Sequence, residues 1–365
     1  MNILFAIKSL GIAGGAERVL TEVTCGLVER GHRVSILTYD PPNENLFYPL
    51  HPSLSLINLS IGASKQRTTI KETLERMVAL RRTIVNMKPD VVVGFMNSMF
   101  IPISLALSGT NFPVIASEHI GVEYYRKHPI EHFLLQLTPF LTKRITIISE
   151  KLRNDFNIHL RKHMTVIPNP VNMAKENIVN SARSNDARNQ ILCVGRLVSQ
   201  KDHKTLIKAF AKLAADFPGW DLKIIGEGEL RSQLENQIKS LGLKDRIQIA
   251  STTANISEEY LDSRIFVVPS LFESFGLVTA EALAYGLPVV GFADCPGTNE
   301  LIKQDQNGIL VQGVQRSAVL SNGIRRLIKS PELRQRLGDA GPESVADFSR
   351  ERICTKWEEL LEISK

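Results

Sequence analysis

Short apolar runs rich in β-branched residues alternate along this chain with longer segments whose apolar positions recur every three to four residues. The short runs are typical of strands and the longer segments of amphipathic helices. Their alternation indicates βαβ units and a parallel sheet. One helical segment, AERVLTEVTCGLVERG, is expected to end at Gly31. In the first half the apolar runs are ILFAI (3–7), VSILTY (34–39), LSLINL (54–59), VVVGF (91–95), PVIAS (113–117) and ITIIS (145–149), followed by MTVIPNPV (164–171).

A second series of apolar runs follows a polar stretch without apolar periodicity, NMAKENIVNSARSNDARN (172–189), which is typical of a linker. The sequence therefore predicts an α/β fold with two Rossmann-like parallel-sheet domains, 1–170 and 190–348, facing each other across a cleft. The linker is placed at 171–189, and a last helix within 349–365 is expected to pack back across the junction. The runs of the second series are ILCVG (191–195), LKIIG (222–226), RIQIA (246–250), RIFVVPS (264–270), LPVVG (287–291) and GILV (308–311).

The excess positive charge lies in the first half. The chain has 365 residues and a net charge of +6. Residues 1–170 carry 19 Lys/Arg against 13 Asp/Glu, whereas residues 171–365 carry 25 of each. An acidic surface or substrate is therefore expected to meet the first half. Sparse aromatic residues, with none interleaved in a basic run, argue against nucleic acid as a partner.

The compartment is inferred from the cysteines and the apolar stretches. Four cysteines far apart, with no pair at metal or redox spacing, favour a reduced, cytoplasmic setting. The N-terminus, MNILFAIKSL, is interpreted as a first strand and not as a signal peptide. The stretch 91–107 is interrupted by Asn97, Ser98 and Pro102, so no transmembrane helix is expected.

Two candidate sites follow strands of the first half. The loop KSLGIAGGAER (8–18) brings glycines, among them Gly15, to the start of a helix, where the backbone can approach a ligand. It lacks G-x-G-x-x-G, but Asp40 at the end of the second strand keeps an NAD site open as an alternative. A turn with only packing duties is another. His119, in SEHIG, could donate a hydrogen bond or carry a proton, although it could equally be an ordinary polar loop residue.

The second half opens with VGRLVSQKD (194–202). Arg196 and Lys201 stand five residues apart beyond a strand, which suits a diphosphate. Two solvated surface charges are the alternative. Gly226, in IIGEGEL (224–230), marks another turn that a ligand could approach closely.

The stretch ESFGLVTAE (273–281) places two glutamates around the start of a helix that is expected to run from near Gly276 to Gly286. The N–H groups of Gly276, Leu277 and Val278 would form a phosphate site at the positive end of the helix dipole. Glu273 could then reach the sugar of a nucleotide diphosphate sugar, and Glu281 its ribose. Each glutamate alone fits a solvent or helix-start role, but their joint placement does not.

These motifs together resemble a retaining GT-B glycosyltransferase of family 4, the class that contains many bacterial lipid-linked, lipopolysaccharide and capsule sugar transferases. The resemblance runs over nearly the whole chain. It implies that Arg196 and Lys201 bind the donor diphosphate, that Glu281 binds the ribose, and that Glu273 and His119 flank the transferred sugar. The matching stretches are GGAER, SEH, IPNPV, VGRLVSQKD, IIGEGEL, PSLFESFGLVTAEALAYGLPVV and NELI…NGILV.

The resemblance makes the second domain the donor-binding one and the first the acceptor-binding one. A hexose or N-acetylhexosamine would move from a nucleotide sugar, expected to be UDP-linked, to a polyprenyl-diphosphate-linked or polysaccharide acceptor. Transfer is expected without a metal or other cofactor, because no two aspartates stand at i, i+2. A non-catalytic sensor of nucleotide sugars stays open as an alternative. The chain differs from the family pattern at STTAN (251–255) and in the proline that precedes Gly297.

One further segment, VEYYRKHPIEHFLLQLTPFLTKR (122–144), combines tyrosines, an apolar run and basic pairs at both ends. This composition suits docking of the first domain on an anionic membrane surface without spanning it, which would place the protein on the inner face of the plasma membrane. The alternative is a helix whose leucines are buried in the domain core and whose charges are solvated.

Overall fold

Two parallel sheets organise the chain, as a computed structural model describing residues 1–61, 69–174 and 189–364 shows. The first unit comprises Met1–Pro170 and Arg350–Lys365, and the second comprises Val171–Ser349. The two predicted parallel-sheet α/β domains are thereby confirmed. Most of the predicted linker, residues 175–188, lies outside the described residues.

The first unit contains a seven-stranded sheet in the order β3-β2-β1-β4-β5-β6-β7, with every neighbouring pair parallel. The central strands Asn2–Ala6, Val91–Phe95 and Val114–Glu118 are buried on both faces, as expected for a parallel sheet covered by helices, whereas the edge strand Ser55–Asn58 is partly exposed. They are β1 (Asn2–Ala6), β2 (Arg33–Thr38), β3 (Ser55–Asn58), β4 (Val91–Phe95), β5 (Val114–Glu118), β6 (Arg144–Ile147) and β7 (Met164–Val166).

The helices of the first unit connect these strands, and most begin shortly after one of them. The apolar stretch 91–107 forms β4 and the helix after it, and its residues are apolar because they are largely buried. The helices are α1 (Gly15–Glu29), α2 (Ile70–Met87), α3 (Asn97–Ala106), α4 (Val122–Arg126), α5 (Pro129–Leu141), α6 (Glu150–Asp155) and α7 (Ile158–Arg161).

The second unit has a six-stranded parallel sheet in the order β10-β9-β8-β11-β12-β13. The chain order reverses between β8 and β11, which are neighbours in the sheet. The strands are β8 (Asn189–Val194), β9 (Trp220–Ile225), β10 (Ile247–Ala250), β11 (Ile265–Val268), β12 (Val289–Phe292) and β13 (Gly308–Val311).

The helices of this unit pack on the sheet around an apolar core that includes Phe210, Val267 and Leu327. Short 3-10 turns cover Ser199–Lys201 and Ala346–Phe348. The helices are α8 (His203–Ala211), α9 (Arg231–Ser240), α10 (Ile256–Asp262), α11 (Leu277–Ala284), α12 (Thr298–Leu301), α13 (Arg316–Lys329), α14 (Pro331–Asp339) and α15 (Gly341–Ser344).

The last helix, α16 (Arg350–Ser364), belongs to the first unit and lies against α1. Trp357 packs its ring near those of Phe5 and Phe95, at centroid distances of 5.9 and 6.1 Å. His32 Nε2 lies 2.9 Å from a carboxylate oxygen of Glu358, which adds a polar contact at the end of this packing. The helix is therefore part of the folded first unit through both apolar and polar contacts.

Candidate active site

The point where strand order reverses in the second sheet positions two charged side chains. The loops after β8 and β11 leave adjacent strands at their carboxyl ends, where ligands of such sheets bind. The first loop carries Lys201 and the second carries Glu273, and Lys201 Nζ lies 2.6 Å from Glu273 Oε1. Both side chains are largely buried, with exposed fractions of 14% and 10%. Two residues 72 positions apart are thus joined by the sheet order.

The Glu273 carboxylate is held from several sides. Ser270 Oγ donates a second hydrogen bond to Glu273 Oε1 at 2.7 Å. The Glu273 N–H donates to the carbonyl of Pro296 at 3.1 Å. A Cβ atom on Gly297 would lie 2.5 Å from the Glu273 carbonyl oxygen, and the backbone there has φ +77°. Only glycine fits at 297, because any side chain would displace the Glu273 backbone.

Helix α11 begins four residues after Glu273. Gly276 precedes the helix with φ 83°, and the N–H groups of the first helical residues lack partners within the helix, as at any helix start. They are therefore available to an anion at the positive end of the helix dipole. Glu281 lies one turn further and is almost fully buried, and its Oε2 accepts a hydrogen bond from Tyr260 Oη at 2.8 Å.

His203 contacts the backbone of the loop that carries Arg196 and Lys201. His203 is buried, and its Nε2 lies 3.2 Å from the carbonyl oxygen of Arg196. Its Nδ1 lies 3.6 Å from Cys193 Sγ. Burial lowers the pKa of His203 to about 4, so the ring is neutral at neutral pH and Nε2–H can donate to the carbonyl. The side chain of Arg196 itself is exposed.

The two predicted glycine contacts differ in their surroundings. A Cβ on Gly226 would lie 2.0 Å from the carbonyl oxygen of Gly195, so close backbone packing alone requires glycine there. Gly15 is the first residue of α1 and is exposed, with open space around its Cα hydrogen. Asp40 is buried, and its Oδ2 accepts the N–H of Leu10 at 2.7 Å. That contact gives the Asp40 carboxylate a role in closing the glycine loop.

His119 lies in the first unit, directly after β5, and is partly buried. Its ring lies against Phe95 at a centroid distance of 4.9 Å, and Nε2 lies 3.0 Å from Ser117 Oγ. Burial lowers the pKa of His119 to about 4. At neutral pH His119 is therefore a neutral imidazole that can donate one hydrogen bond and accept another.

Glu118, the residue before His119, is fully buried. Its Oε1 accepts the N–H groups of His119 and Ile120 at 2.9 and 2.8 Å, and its Oε2 accepts a hydrogen bond from Tyr125. Burial raises the pKa of the carboxyl to about 7. Glu118 thereby fixes the backbone of the loop that carries His119.

Known proteins match the chain at both units. A sequence profile described as Glycosyltransferase Family 4 matches residues 13–175, and one described as Glycosyl transferases group 1 matches residues 174–344. An uncharacterized glycosyltransferase of Methanocaldococcus jannaschii is 30% identical over 72% of this chain and 70% of its own length. The chain is a GT-B glycosyltransferase of family 4.

Two further relatives of this glycosyltransferase cover nearly its full length. A Campylobacter jejuni enzyme named GalNAc-alpha-(1->4)-GalNAc-alpha-(1->3)-diNAcBac-PP-undecaprenol alpha-1,4-N-acetyl-D-galactosaminyltransferase is 26% identical over 99% of this chain and 98% of its own. The solved structure of Anabaena HepE, in complex with UDP and glucose, has a TM-score of 0.79 at 19% identity over 99% of both chains. The structural similarity supports the GT-B fold.

In this glycosyltransferase Lys201 contacts Glu273. Gly276, Leu277 and Val278 follow Glu273 after two intervening residues. Arg196 lies in the same loop as Lys201, Glu281 lies within α11, and His119 and Gly15 belong to the first unit. Sequence reasoning missed the supporting residues Ser270, Tyr260, His203, Glu118 and Tyr125. Glu118, Ser270 and Tyr125 stood inside quoted stretches, whereas Tyr260 and His203 did not. The position of Glu118 at the end of a buried strand could have indicated it.

The described residues, 1–61, 69–174 and 189–364, contain neither a metal-binding cluster nor a membrane-spanning helix. No group of three or more His, Cys, Asp or Glu side chains is arranged to hold a metal ion there. None of the helices in those ranges combines the length and the apolar character that crossing a bilayer requires.

Proposed function

We propose that this glycosyltransferase is a retaining enzyme that transfers a hexose or N-acetylhexosamine from a UDP-sugar to a polyprenyl-diphosphate-linked or polysaccharide acceptor. The observation that carries the proposal is the contact between Lys201 and Glu273, because Glu273 lies four residues before the start of α11. A positive group, a carboxylate and a helix N-terminus at one sheet edge match the diphosphate and the sugar of such a donor. UDP and glucose in HepE, and the PP-undecaprenol glycan named for the Campylobacter enzyme, support these classes.

Each side chain receives a role from its surroundings. Within the described residues, both hydrogen bonds to the Glu273 carboxylate go to Oε1, so Oε2 is the atom that we assign to a hydroxyl of the donor sugar. Lys201 and the exposed Arg196 stabilise the charge that grows on the leaving diphosphate, together with the N–H groups of Gly276, Leu277 and Val278. Glu281 accepts from the ribose hydroxyls, and His119 hydrogen bonds the transferred sugar. Gly15 and Gly226 are assigned to the backbone that approaches the donor.

The charge compensation by Lys201, Arg196 and the helix start supports transfer without a metal ion. We expect activity to persist when divalent ions are removed with EDTA. Activity lost in EDTA and restored by manganese or magnesium would contradict this part of the proposal.

The direct test of the reaction is a panel of UDP-sugars incubated with the protein and a lipid-linked acceptor extract. One UDP-sugar is expected to release UDP and label the acceptor, and NMR of the product should show the anomeric configuration of the donor. Binding of UDP-sugars without turnover would favour a non-catalytic sensor. A product of inverted configuration would exclude the retaining mechanism but not glycosyl transfer.

We also propose that the first unit docks on an anionic membrane from the cytoplasmic side. Helix α5 exposes three large apolar side chains on one face, with exposed fractions of 76% for Ile130, 64% for Phe133 and 75% for Phe140. Leu135 of the same helix is buried, so the leucine side packs into the unit while the phenylalanines face outward. The exposed basic pairs Arg126–Lys127 and Lys143–Arg144 flank this face. Four free thiols fit a reducing compartment.

A further inference from the structure

We propose that Ser117, which is itself hydrogen bonded to Thr146, is a positioning residue that holds His119 in the tautomer protonated at Nδ1. The Nδ1–H group is then the one that donates a hydrogen bond to an oxygen of the substrate. The catalytic consequence rests on the proposed function, whereas the tautomer itself can be measured without any substrate.

The three side chains form a hydrogen-bonded chain that the sheet register dictates. Ser117 of β5 and Thr146 of β6 are directly paired in the parallel ladder. Thr146 Oγ1 lies 2.9 Å from Ser117 Oγ, and Ser117 Oγ lies 3.0 Å from Nε2 of His119. Ser117 and His119 are two residues apart, the spacing at which side chains of an extended segment share a face. Ser117 and Thr146 are both almost fully buried, at 1% and 2% exposed.

The available acceptors determine the direction in which hydrogen bonds are donated among Thr146, Ser117 and His119. If Nε2 carried the proton, it would donate to Ser117, and the Ser117 hydroxyl would donate to Thr146. The Thr146 hydroxyl proton would then be buried without an acceptor, because in the described part of the protein Thr146 Oγ1 has no hydrogen-bond partner, side chain or backbone, besides Ser117 Oγ. In the opposite direction Thr146 donates to Ser117 and Ser117 donates to Nε2, so every hydroxyl proton has an acceptor. A buried donor without a partner is costly, so the second direction is favoured.

The chemistry of imidazole then fixes the role of the other nitrogen. Burial against Phe95 keeps His119 neutral, with a pKa lowered to about 4. A neutral imidazole with an accepting Nε2 carries its single proton on Nδ1. The backbone N–H of His119 donates a hydrogen bond to Glu118 Oε1, which fixes the backbone that carries the ring. His119 thus presents a neutral donor suited to a sugar hydroxyl oxygen, and it is not a general acid near pH 7.

The tautomer can be measured by NMR on the whole protein labelled with 15N in its eight histidine rings. A His119→Gln variant assigns the signals. In the wild type at pH 7, without substrate, Nδ1 should resonate as a protonated nitrogen and Nε2 as an unprotonated one. Ser117→Ala should let the Nε2–H form become populated, whereas the isosteric Thr146→Val should not, because the buried Ser117 hydroxyl then still needs Nε2 as its acceptor. A protonated Nε2 in the wild type, or an unchanged spectrum in Ser117→Ala, would overturn the inference.

Turnover supplies the second readout. Ser117→Ala should lower kcat about tenfold, the effect of about one misdirected hydrogen bond, with the donor KM changed less than twofold. Thr146→Val, in which Ser117 can still donate to Nε2, should change kcat much less. An altered tautomer with unchanged kcat would overturn the positioning role. If the NMR pattern holds but no UDP-sugar is ever turned over, the proposed function fails while the tautomer assignment stands.

Discussion

At the scale of single residues, burial shifts the pKa values of imidazole and carboxyl groups in opposite directions. His119 and His203 have a pKa lowered to about 4, because burial disfavours the charged imidazolium. Glu118 has a pKa raised to about 7, because burial disfavours the carboxylate. At neutral pH the two imidazoles are therefore neutral and the Glu118 carboxyl is close to its pKa, while Lys201 and Glu273 form an ion pair.

Glu118→Gln should change how stability depends on pH. The pKa of Glu118 is about 7 in the folded protein against 4.5 for an ordinary glutamate, so its contribution to stability is full below pH 4.5 and is lost as pH rises through 7. Glutamine cannot ionise, so the variant should gain up to about 3 kcal/mol relative to the wild type between pH 5 and pH 8. Thermal unfolding of both proteins at the two pH values measures this gain. The exposed Glu123→Gln is the matched control and should show none.

Lys201→Ala and Arg196→Ala should each lower kcat more than they raise the donor KM, because the negative charge on the diphosphate grows as the bond to the sugar breaks. Steady-state kinetics with the identified donor measures the two constants. Lys208→Ala, which removes an exposed lysine from helix α8, is the matched control. A higher KM with unchanged kcat would mean that the two cations bind only the ground state.

Loss of Lys201 also leaves Glu273 without its ion-pair partner. The double variant Lys201→Ala, Glu273→Gln tests whether an unpaired carboxylate explains the defect. If the double variant recovered most of the wild-type turnover, the assignment of Lys201 to the diphosphate would be wrong.

At the scale of helices and strands, the apolar periodicity located every strand of both sheets, with boundaries that differ by at most two residues, except that the run 164–171 extends five residues beyond β7. The helix expected from near Gly276 to Gly286 is α11, Leu277–Ala284. Local patterning sufficed because β-branched runs and terminating glycines act within a few residues. The pairing of Lys201 with Glu273, and of Tyr260 with Glu281, depends on which strands are neighbours, and no local signal encodes that order.

Helix α11 concentrates the expected donor contacts, so Glu281→Ala should weaken UDP binding. Losing charged hydrogen bonds to the ribose hydroxyls should cost roughly 1.5–3 kcal/mol. Calorimetry of UDP binding measures this loss. Tyr260→Phe removes only the hydroxyl that donates to Glu281, so it should have a smaller effect if the ribose is the main partner. Unchanged UDP affinity in a folded Glu281→Ala protein would remove Glu281 from the ribose site.

At the scale of the whole molecule, the charge is divided unequally between the two halves of the chain. Residues 1–170 carry six more basic than acidic side chains, and the remaining residues are balanced. The exposed apolar face of α5, formed by Ile130, Phe133 and Phe140, lies in the basic half. Sequence could indicate the composition of this segment but not which of its apolar residues face outward, because helix orientation depends on tertiary packing.

This combination of charge and apolar surface predicts binding to anionic vesicles. Each basic residue near such a surface adds on the order of 1 kcal/mol of attraction, which salt screens, and the α5 side chains add apolar contact. Co-sedimentation should show binding to phosphatidylglycerol vesicles that falls with salt.

Binding should weaken when Arg126, Lys127, Lys143 and Arg144 are replaced by glutamate, and also in the double variant Phe133→Ser, Phe140→Ser. Glutamate at four exposed lysines of the second unit (Lys208, Lys212, Lys239 and Lys244) matches the charge change and should weaken it much less. Equal binding to neutral and anionic vesicles, or equal loss in both charge variants, would show that α5 and its basic flanks are not a membrane-docking surface.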